Sequence, residues 1–291
     1  MSDCDQSRTQ PPRVVTTAAE LRAAVEAARA AGKSIGLVPT MGALHEGHLT
    51  LARASSAECS YTVVTVFVNP TQFGPREDFG KYPRTLDADV AALAGTGADL
   101  VFAPASDELY PGDFSSYVDP PRVAQRWEGE RRPGHFRGVA TVCLKLFHLA
   151  RADIAFFGHK DYQQSLVIRR LVADLNVPIT IRVCPTVREA DGLAMSSRNR
   201  YLNADQRDQA VVLWRSLQRA AELVRQGQRR AETVQQEMGR VLREAGVSRI
   251  DYVALVDPET LEPLAEIAGP AIALIVAYVG DTRLIDNLRL E

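Results

Sequence analysis

Residues Ile35 to His48 read Ile-Gly-Leu-Val-Pro-Thr-Met-Gly-Ala-Leu-His-Glu-Gly-His. A short apolar run, Ile35 to Val38, gives way to a Pro- and Gly-containing loop, and a helix start falls near Glu46 or Gly47. In a parallel sheet, ligands bind where strand ends meet helix starts. Gly42 lets backbone approach a ligand closely. His45 and His48 are three apart, so at a helix start they share a face. Free N–H groups and the helix dipole attract anions there. Two imidazoles in that place can donate hydrogen bonds to phosphate oxygens. A surface pair, or the beginning of a zinc site, is the competing reading, although no third metal ligand is indicated nearby.

The strand-to-helix alternation extends in both directions. Upstream, Thr17 and Glu20 have capping-box spacing, Leu21, Val25 and Ala28 follow at helical spacing, and Gly32 is a natural stop. The polar N-terminus, through Arg13, reads as a loose tail. Downstream, Thr62 to Val68 is a β-branched run that suits a buried strand. Leu86 to Ala94 reads as helix, Leu100 to Phe102 as a short strand, Val139 to Ala150 as helix and Ile154 to Phe157 as another buried strand. Asp161 to Leu175 follows as a helix with Asp161 as N-cap and Asn176 at its end, then Ile179 to Val183 as strand. This is the pattern of a parallel sheet with helices on both faces. After about Val187 it changes. One long amphipathic helix is expected from Asn203–Gln206 to about Gln226 and a second from Ala231 to Ala245. Apolar strands follow at Ile250 to Val256 and Ala271 to Val279. The fold class is therefore α/β: a Rossmann-like parallel-sheet domain over residues 1–187 with a smaller C-terminal α+β domain over residues 188–291.

Bulk properties narrow the function. The 291 residues are 46% apolar and 24% charged, which suits a soluble globular protein. A net charge of -2, from 34 basic and 36 acidic residues, gives no general attraction to nucleic acid or membrane. The longest apolar run, Ala271 to Val279, is too short to span a bilayer, and the N-terminus lacks the apolar core of a signal peptide. Four scattered cysteines without a CxxC pair suit a reducing cytoplasm.

Three further stretches carry polar groups at predicted strand ends or at the domain junction. Phe67 to Phe73 (FVNPTQF) puts Asn69 and Gln72 where an apolar strand gives out, a pattern that ordinary Asn-Pro turn chemistry also explains. Phe156 to Gln164 (FFGHKDYQQ) turns at Gly158 and presents Lys160, a point charge able to neutralise a transferring phosphoryl group. Asp161 there has a complete structural explanation as a cap. Pro185 to Asn199 (PTVREADGLAMSSRN) contains Met195, Ser196, Ser197 and Arg198. Two hydroxyls and a guanidinium make a compact phosphate clamp, and a position at a domain junction suits a closing lid. Taken alone, Ser-Ser-Arg is more simply a polar interdomain loop. Tyr82-Pro83-Arg84-Thr85 and the basic turn Arg131 to Phe136 read by default as solvated loops, and the carboxylates Asp87 and Asp89 as an ordinary acidic helix start.

His-x-Gly-His after a strand and a Gly-containing loop resembles the signature of the nucleotidyltransferase superfamily, and the full string PTMGALHEGH is similar to the N-terminal signature of the pantothenate synthetase family. Four motifs match that family in order between about residues 35 and 202. The resemblance implies ATP-dependent condensation of pantoate with β-alanine through a pantoyl adenylate, with ATP and Mg²⁺, and a cytoplasmic homodimer with no nucleic-acid or membrane partner. It implies that Pro39, Thr40, Met41, Gly42, His45 and His48 bind ATP together with Gly158, His159, Lys160, Asp161, Val187, Met195, Ser196, Ser197 and Arg198. His45, His48, Lys160, Ser196, Ser197 and Arg198 would be the catalytic set. Gln72 and Gln164 would hold pantoate, with Asn69, Met41 and Tyr82 beside it, and no protein side chain is assigned to the metal. The family usually has glutamate where this chain has His159. A different nucleotidyltransferase acting on a phosphate-bearing acceptor would use the same histidines, and a non-catalytic ATP sensor is the reading from another class. A class I aminoacyl-tRNA synthetase fits the near-neutral charge poorly.

Overall fold

Alternate residues of each inner strand enter opposite hydrophobic cores. Ile35 and Leu37, Val63, Leu100 and Phe102, and Ala155 and Phe157 pack into one core. Val38, Val64, Val101 and Phe156 pack into the other. That two-sided burial is why these segments are near-continuous apolar runs. The structure is a computed structural model that describes residues 10–75 and 77–291.

The chain divides into two compact units, residues up to His159 together with Gln164–Pro185, and Lys160–Gln163 together with Thr186–Glu291. The first contains β1 (Arg13–Val15), α1 (Ala18–Ala30), β2 (Ile35–Thr40), α2 (Glu46–Glu58), β3 (Tyr61–Val66), α3 (Leu86–Ala92) and β4 (Leu100–Phe102). After the short helices α4 (Ser106–Leu109) and α5 (Glu128–Arg131) come α6 (His135–Ala150), β5 (Ile154–Gly158), α7 (Tyr162–Asp174), which begins in the second unit, and β6 (Thr180–Cys184). The six strands form one sheet in the order β1-β4-β3-β2-β5-β6, parallel at every pairing. Helices α1 and α6 supply one core, through Leu21, Val25, Val139 and Leu146, and α2 supplies the other through Leu51 and Ala52. From β2 the chain steps outward to β3 and β4, then returns to β2's other side as β5. The order therefore reverses between β2 and β5, and the crevice beyond their C-terminal ends is the natural ligand position.

The second unit contains α8 (Ala204–Ala210), α9 (Val212–Arg225), α10 (Ala231–Glu244), β7 (Ile250–Val256), β8 (Ala271–Val279) and β9 (Thr282–Leu290). Its strands form an antiparallel sheet in the order β7-β8-β9. Leu213, Leu217, Val234, Met238 and Leu242 from the helices bury against Ala273, Ile275 and Ala277 of the middle strand. No helix among the described residues is long and apolar enough to cross a membrane.

The expected capping box of Thr17 with Glu20 is present, and the expected helix start at Asn203 proves to be a second box, with Gln206. Several readings need correction. Arg13 opens an edge strand, while the tail reading of residues 1–9 falls outside the described residues. Helix α6 starts at His135, four residues earlier than expected, so the basic turn is largely a helix start. Asp161 lies in a 3₁₀ turn, His159–Asp161, that precedes α7. The single long helix is interrupted at Val211, giving α8 and α9. Strand β9 was not expected, because Asp286 and Asn287 are both buried and break its apolar alternation.

Candidate active site

Helix α2 begins at the C-terminal end of β2 with a capping arrangement made entirely of histidine. His45 is the N-cap, and its Nδ1 accepts the Gly47 N–H at 3.2 Å. The His48 Nδ1 in turn accepts the His45 N–H at 3.4 Å. Each Nδ1 that accepts must be unprotonated, so each neutral ring carries its proton on Nε2. The rings lie 4.1 Å apart between centroids. The sequence thus fixes two neighbouring N–H donors at a helix N-terminus, where an anion is already favoured.

The loop leading to these rings is held from α3. Asp89 is 2% exposed and accepts the N–H groups of Leu44 at 2.7 Å and Ala43 at 3.0 Å. Gly42 and Ala43 both have positive φ, 79° and 51°. A Cβ on Gly42 would stand 3.0 Å from both Asp89 Oδ2 and a Val66 methyl, so a larger residue there would be strained by the backbone and would crowd the loop's anchor. Asp89 is therefore a buried positioning group and not simply a dipole-complementing acid. A cavity of about 320 Å³ borders Met41, Gly42, Arg84, Asp89 and Ser106 at the ends of β3 and β4.

Gln72 ends a 3₁₀ turn after β3 and is buried. Its Nε2 donates to the Met41 sulfur at 2.9 Å, and its Oε1 accepts from Asn69 Nδ2 at 3.0 Å. Asn69, 1% exposed, also donates to the Gly138 carbonyl and accepts from Thr71 and from the Tyr110 hydroxyl at 2.9 Å. Burial pushes Tyr110 up to about 12, so that hydroxyl stays a donor at neutral pH. Asn69 is thus a hub whose amide is spent on aligning Gln72. Tyr82 is buried in an aromatic cluster, edge-on to Phe73 at 5.9 Å.

Behind Gln72 sits a chain of polar side chains. His135 Nδ1 donates to the Gln72 carbonyl at 2.9 Å, and its Nε2 faces Arg132 Nη1 at 3.1 Å. Burial, reinforced by the Arg132 charge, lowers His135 to about 4, so the ring is neutral and Nε2 accepts. Arg132 grips Glu77 with two hydrogen bonds of 2.8 and 2.7 Å. Burial alone would raise the Glu77 carboxyl, but the Arg132 bonds outweigh it and hold the group below its ordinary range. The solvated-loop reading of Arg132 is corrected here: the guanidinium is largely buried because its charge is paired.

In the second unit, Val187 to Met195 folds into a hairpin, with Met195 N–H bonded to the Val187 carbonyl at 3.0 Å and Glu189 N–H to the Leu193 carbonyl at 2.8 Å. Ser196 then caps the 3₁₀ turn Ser197–Tyr201 by accepting the Arg198 N–H. Asn199 donates to Glu189 and to the Ala194 carbonyl, bracing the turn against the hairpin. Lys160 Nζ lies 3.8 Å from Asp161 Oδ1, beyond hydrogen-bond distance. Within the first unit, the structure gathers Met41, Gly42, His45 and His48 at the end of β2, and Asn69 and Gln72 beyond β3. Gly158 closes β5, and Gln164 is the third residue of α7, within its first turn. Among the described residues, no group of three His, Cys, Asp or Glu side chains could hold a metal ion.

A family model described as pantoate-beta-alanine ligase matches residues 13–289. The chain belongs to the pantoate-beta-alanine ligase family. It is 52% identical over 278 residues to a pantothenate synthetase of Moorella thermoacetica, covering 96% of this chain and 98% of that one. It is 50% identical to one of Acidobacterium capsulatum, over 96% of this chain and 97% of that one. A Thermus thermophilus pantothenate synthetase superposes with a TM-score of 0.90 at 46% identity, over 95% of this chain and 98% of that one. A Francisella tularensis pantoate-beta-alanine ligase, solved with "Beta-gamma ATP" and β-alanine, has a TM-score of 0.79 at 31% identity, over 95% and 97% of the two chains. As a member of this family, the chain is a ligase that joins pantoate to β-alanine.

Two layers of this pantoate-beta-alanine ligase were missed or misread from sequence. Glu77 is separated from Arg132 and His135 by more than 50 residues, and only the packing of α6 on the Gln72 turn brings them together. The available signal was His135 in a stretch otherwise becoming apolar. Asp286 and Asn287 lie on the strand that was not expected. A buried Asp-Asn pair between apolar residues is itself an anomaly that asks for partners.

Proposed function

We propose that the ligase works in two steps through a pantoyl adenylate. A pantoate carboxylate oxygen attacks the α-phosphorus of ATP, and the bond to the bridging oxygen breaks to release pyrophosphate. The β-alanine amine then attacks the activated carbonyl carbon, AMP departs with the C–O bond electrons, and the amine loses a proton to give the amide. His45 and His48 donate from Nε2 to phosphate oxygens, and that paired donor geometry is the observation that carries the reading. Lys160, Ser196, Ser197 and Arg198 add positive and hydroxyl donors for the β- and γ-phosphates. Backbone at Pro39 to Gly42, with Gly158, His159, Asp161, Val187 and Met195, contributes the remainder of the ATP site. Gln72 and Gln164 hold pantoate. Asn69 acts through Gln72, and Tyr82 and Met41 shape the wall beside it. Catalysis is then positioning and charge stabilisation without a covalent enzyme intermediate.

Mg²⁺ would accompany ATP, held by phosphate oxygens and water, where it would neutralise phosphate charge. The second unit serves as the lid. The protein is a cytoplasmic homodimer.

The test is pyrophosphate release from Mg-ATP with pantoate, before and after β-alanine is added. Pantoate-dependent release, followed by AMP and pantothenate once the amine is present, is expected. His45→Asn separates cap from donor: Asn can accept the Gly47 N–H but has no Nε2–H. It should keep the melting temperature and lose about 10²-fold or more in adenylate formation, the scale of one lost transition-state donor. A folded His45→Asn enzyme with normal turnover would remove the histidine assignment.

A further inference from the structure

We infer that Asn287, on β9, is a positioning residue for Lys160. This rests on the proposed role of Lys160 at the ATP phosphates. The Asn287 side-chain Nδ2 donates to the Lys160 carbonyl at 2.8 Å across 127 residues of sequence. Asn287 is 3% exposed, and its main-chain polar groups are directed as well. Its N–H donates to Asp286 Oδ1 at 2.8 Å, and its carbonyl accepts from Arg188 Nη2 at 3.3 Å.

The anchor is itself anchored. Asp286, 4% exposed, takes both arms of the Arg188 guanidinium at 2.6 and 3.0 Å. Arg188 lies over the Trp214 ring at 3.8 Å, so the ion pair is sandwiched between strand and helix. Bidentate arginine pairing fixes orientation as well as distance. A second tether acts two residues further on, where the Tyr162 hydroxyl donates to the Pro258 carbonyl at 2.7 Å. Lys160 to Gln163 is thereby carried by the second unit although β5, which delivers it, belongs to the first.

Asparagine is depleted in strands, and a buried amide is costly without partners. Its occurrence within β9 is explained by what it holds. A lysine ammonium rides on a flexible four-carbon stem, so the backbone position at Lys160 decides the volume that Nζ can search. Arg188 is also the residue after Val187, at the base of the hairpin that leads to Met195–Arg198. The cluster therefore sets two elements of the proposed phosphate grip from one point.

The experiment is pantoate-dependent ATP–pyrophosphate exchange in the full-length enzyme with Asn287→Asp, Asn287→Ala, Lys160→Ala and the Asn287→Ala/Lys160→Ala double variant. Pantoate binding is measured by calorimetry and folding by thermal unfolding. Asn287→Asp keeps the shape and removes the donor. Asn287→Ala serves for the same comparison if the added carboxylate beside Asp286 prevents folding. The expected result is a loss of about tenfold or more in kcat/KM for ATP, the scale of a misplaced reacting group, with pantoate affinity unchanged. That loss should vanish in the Lys160→Ala background, because the anchor then has nothing to place. Equal losses for ATP and pantoate, or a loss that persists without the lysine side chain, would reduce Asn287 to a structural residue and overturn the inference. If Lys160→Ala alone exchanges normally, the reading of Lys160 fails first and the inference falls with it.

Discussion

At the scale of single residues, the site depends on which proton sits on which nitrogen. His45 and His48 reach their donor state by accepting backbone N–H groups on Nδ1. His135 reaches the opposite tautomer by donating from Nδ1 to the Gln72 carbonyl. The third ring is also a stability sensor. Burial and Arg132 lower it to about 4, whereas an unfolded histidine titrates near 6.5. Between those values the unfolded chain binds the extra proton and the folded chain does not. Stability therefore rises with pH through the window, is complete above about 6.5 and falls as pH drops toward 4. A shift of this size corresponds to an upper bound of about 3 kcal/mol. Denaturant unfolding at pH 7 and pH 5 should show the wild type losing a measurable part of this. His135→Asn, which retains a donor toward the Gln72 carbonyl, should show a smaller pH difference. An unchanged pH dependence in that variant would mean that another group carries the acid limb.

At the scale of elements, the important event is the approach of α6 to the turn before Gln72. A Cβ on Gly138 would lie 2.3 Å from the Thr71 carbonyl oxygen and 2.6 Å from the Gln72 nitrogen. Both are backbone atoms with no rotamer to yield, so Gly138→Ala must displace the turn. We expect about 1–3 kcal/mol of destabilisation, typical of overpacking, with a raised KM for pantoate and little change in KM for ATP. Steady-state kinetics with each substrate varied in turn would check this, and a selective ATP defect would contradict it. This contact also marks a limit of sequence reading. The strands β2 to β5 were legible because burial on both faces leaves continuous apolar runs, and helix α1 because its capping box is local. The helix start after His45 was legible from the strand-to-loop pattern before it, whereas the histidine capping bonds there were not read from sequence. The Gln72–His135–Arg132–Glu77 chain was not, because it is assembled by tertiary packing of segments that look like turns. Strand β9 was missed because its two buried polar residues serve a partner far away in sequence.

At the scale of the whole molecule, the chain runs one sheet unit and one α+β unit with separate hydrophobic cores. Separate cores permit separate local opening, so ligands should be distinguishable by which backbone they protect. A ligand that binds only the folded state stabilises what it touches by mass action. In amide hydrogen exchange, pantoate alone is expected to slow exchange around Asn69–Gln72 and the start of α6. Mg-ATP is expected to slow it at the α2 N-terminus in the first unit and at 186–202 in the second. In Asn287→Ala the ATP-dependent protection at 186–202 should weaken while that at α2 persists, because the α2 capping bonds lie within the first unit and do not depend on β9. If ATP protects α2 alone in the wild type, the Ser196–Arg198 segment does not grip nucleotide and the second unit is not a lid. If it protects neither segment while pantoate still binds, the phosphate site lies elsewhere than at the paired histidines.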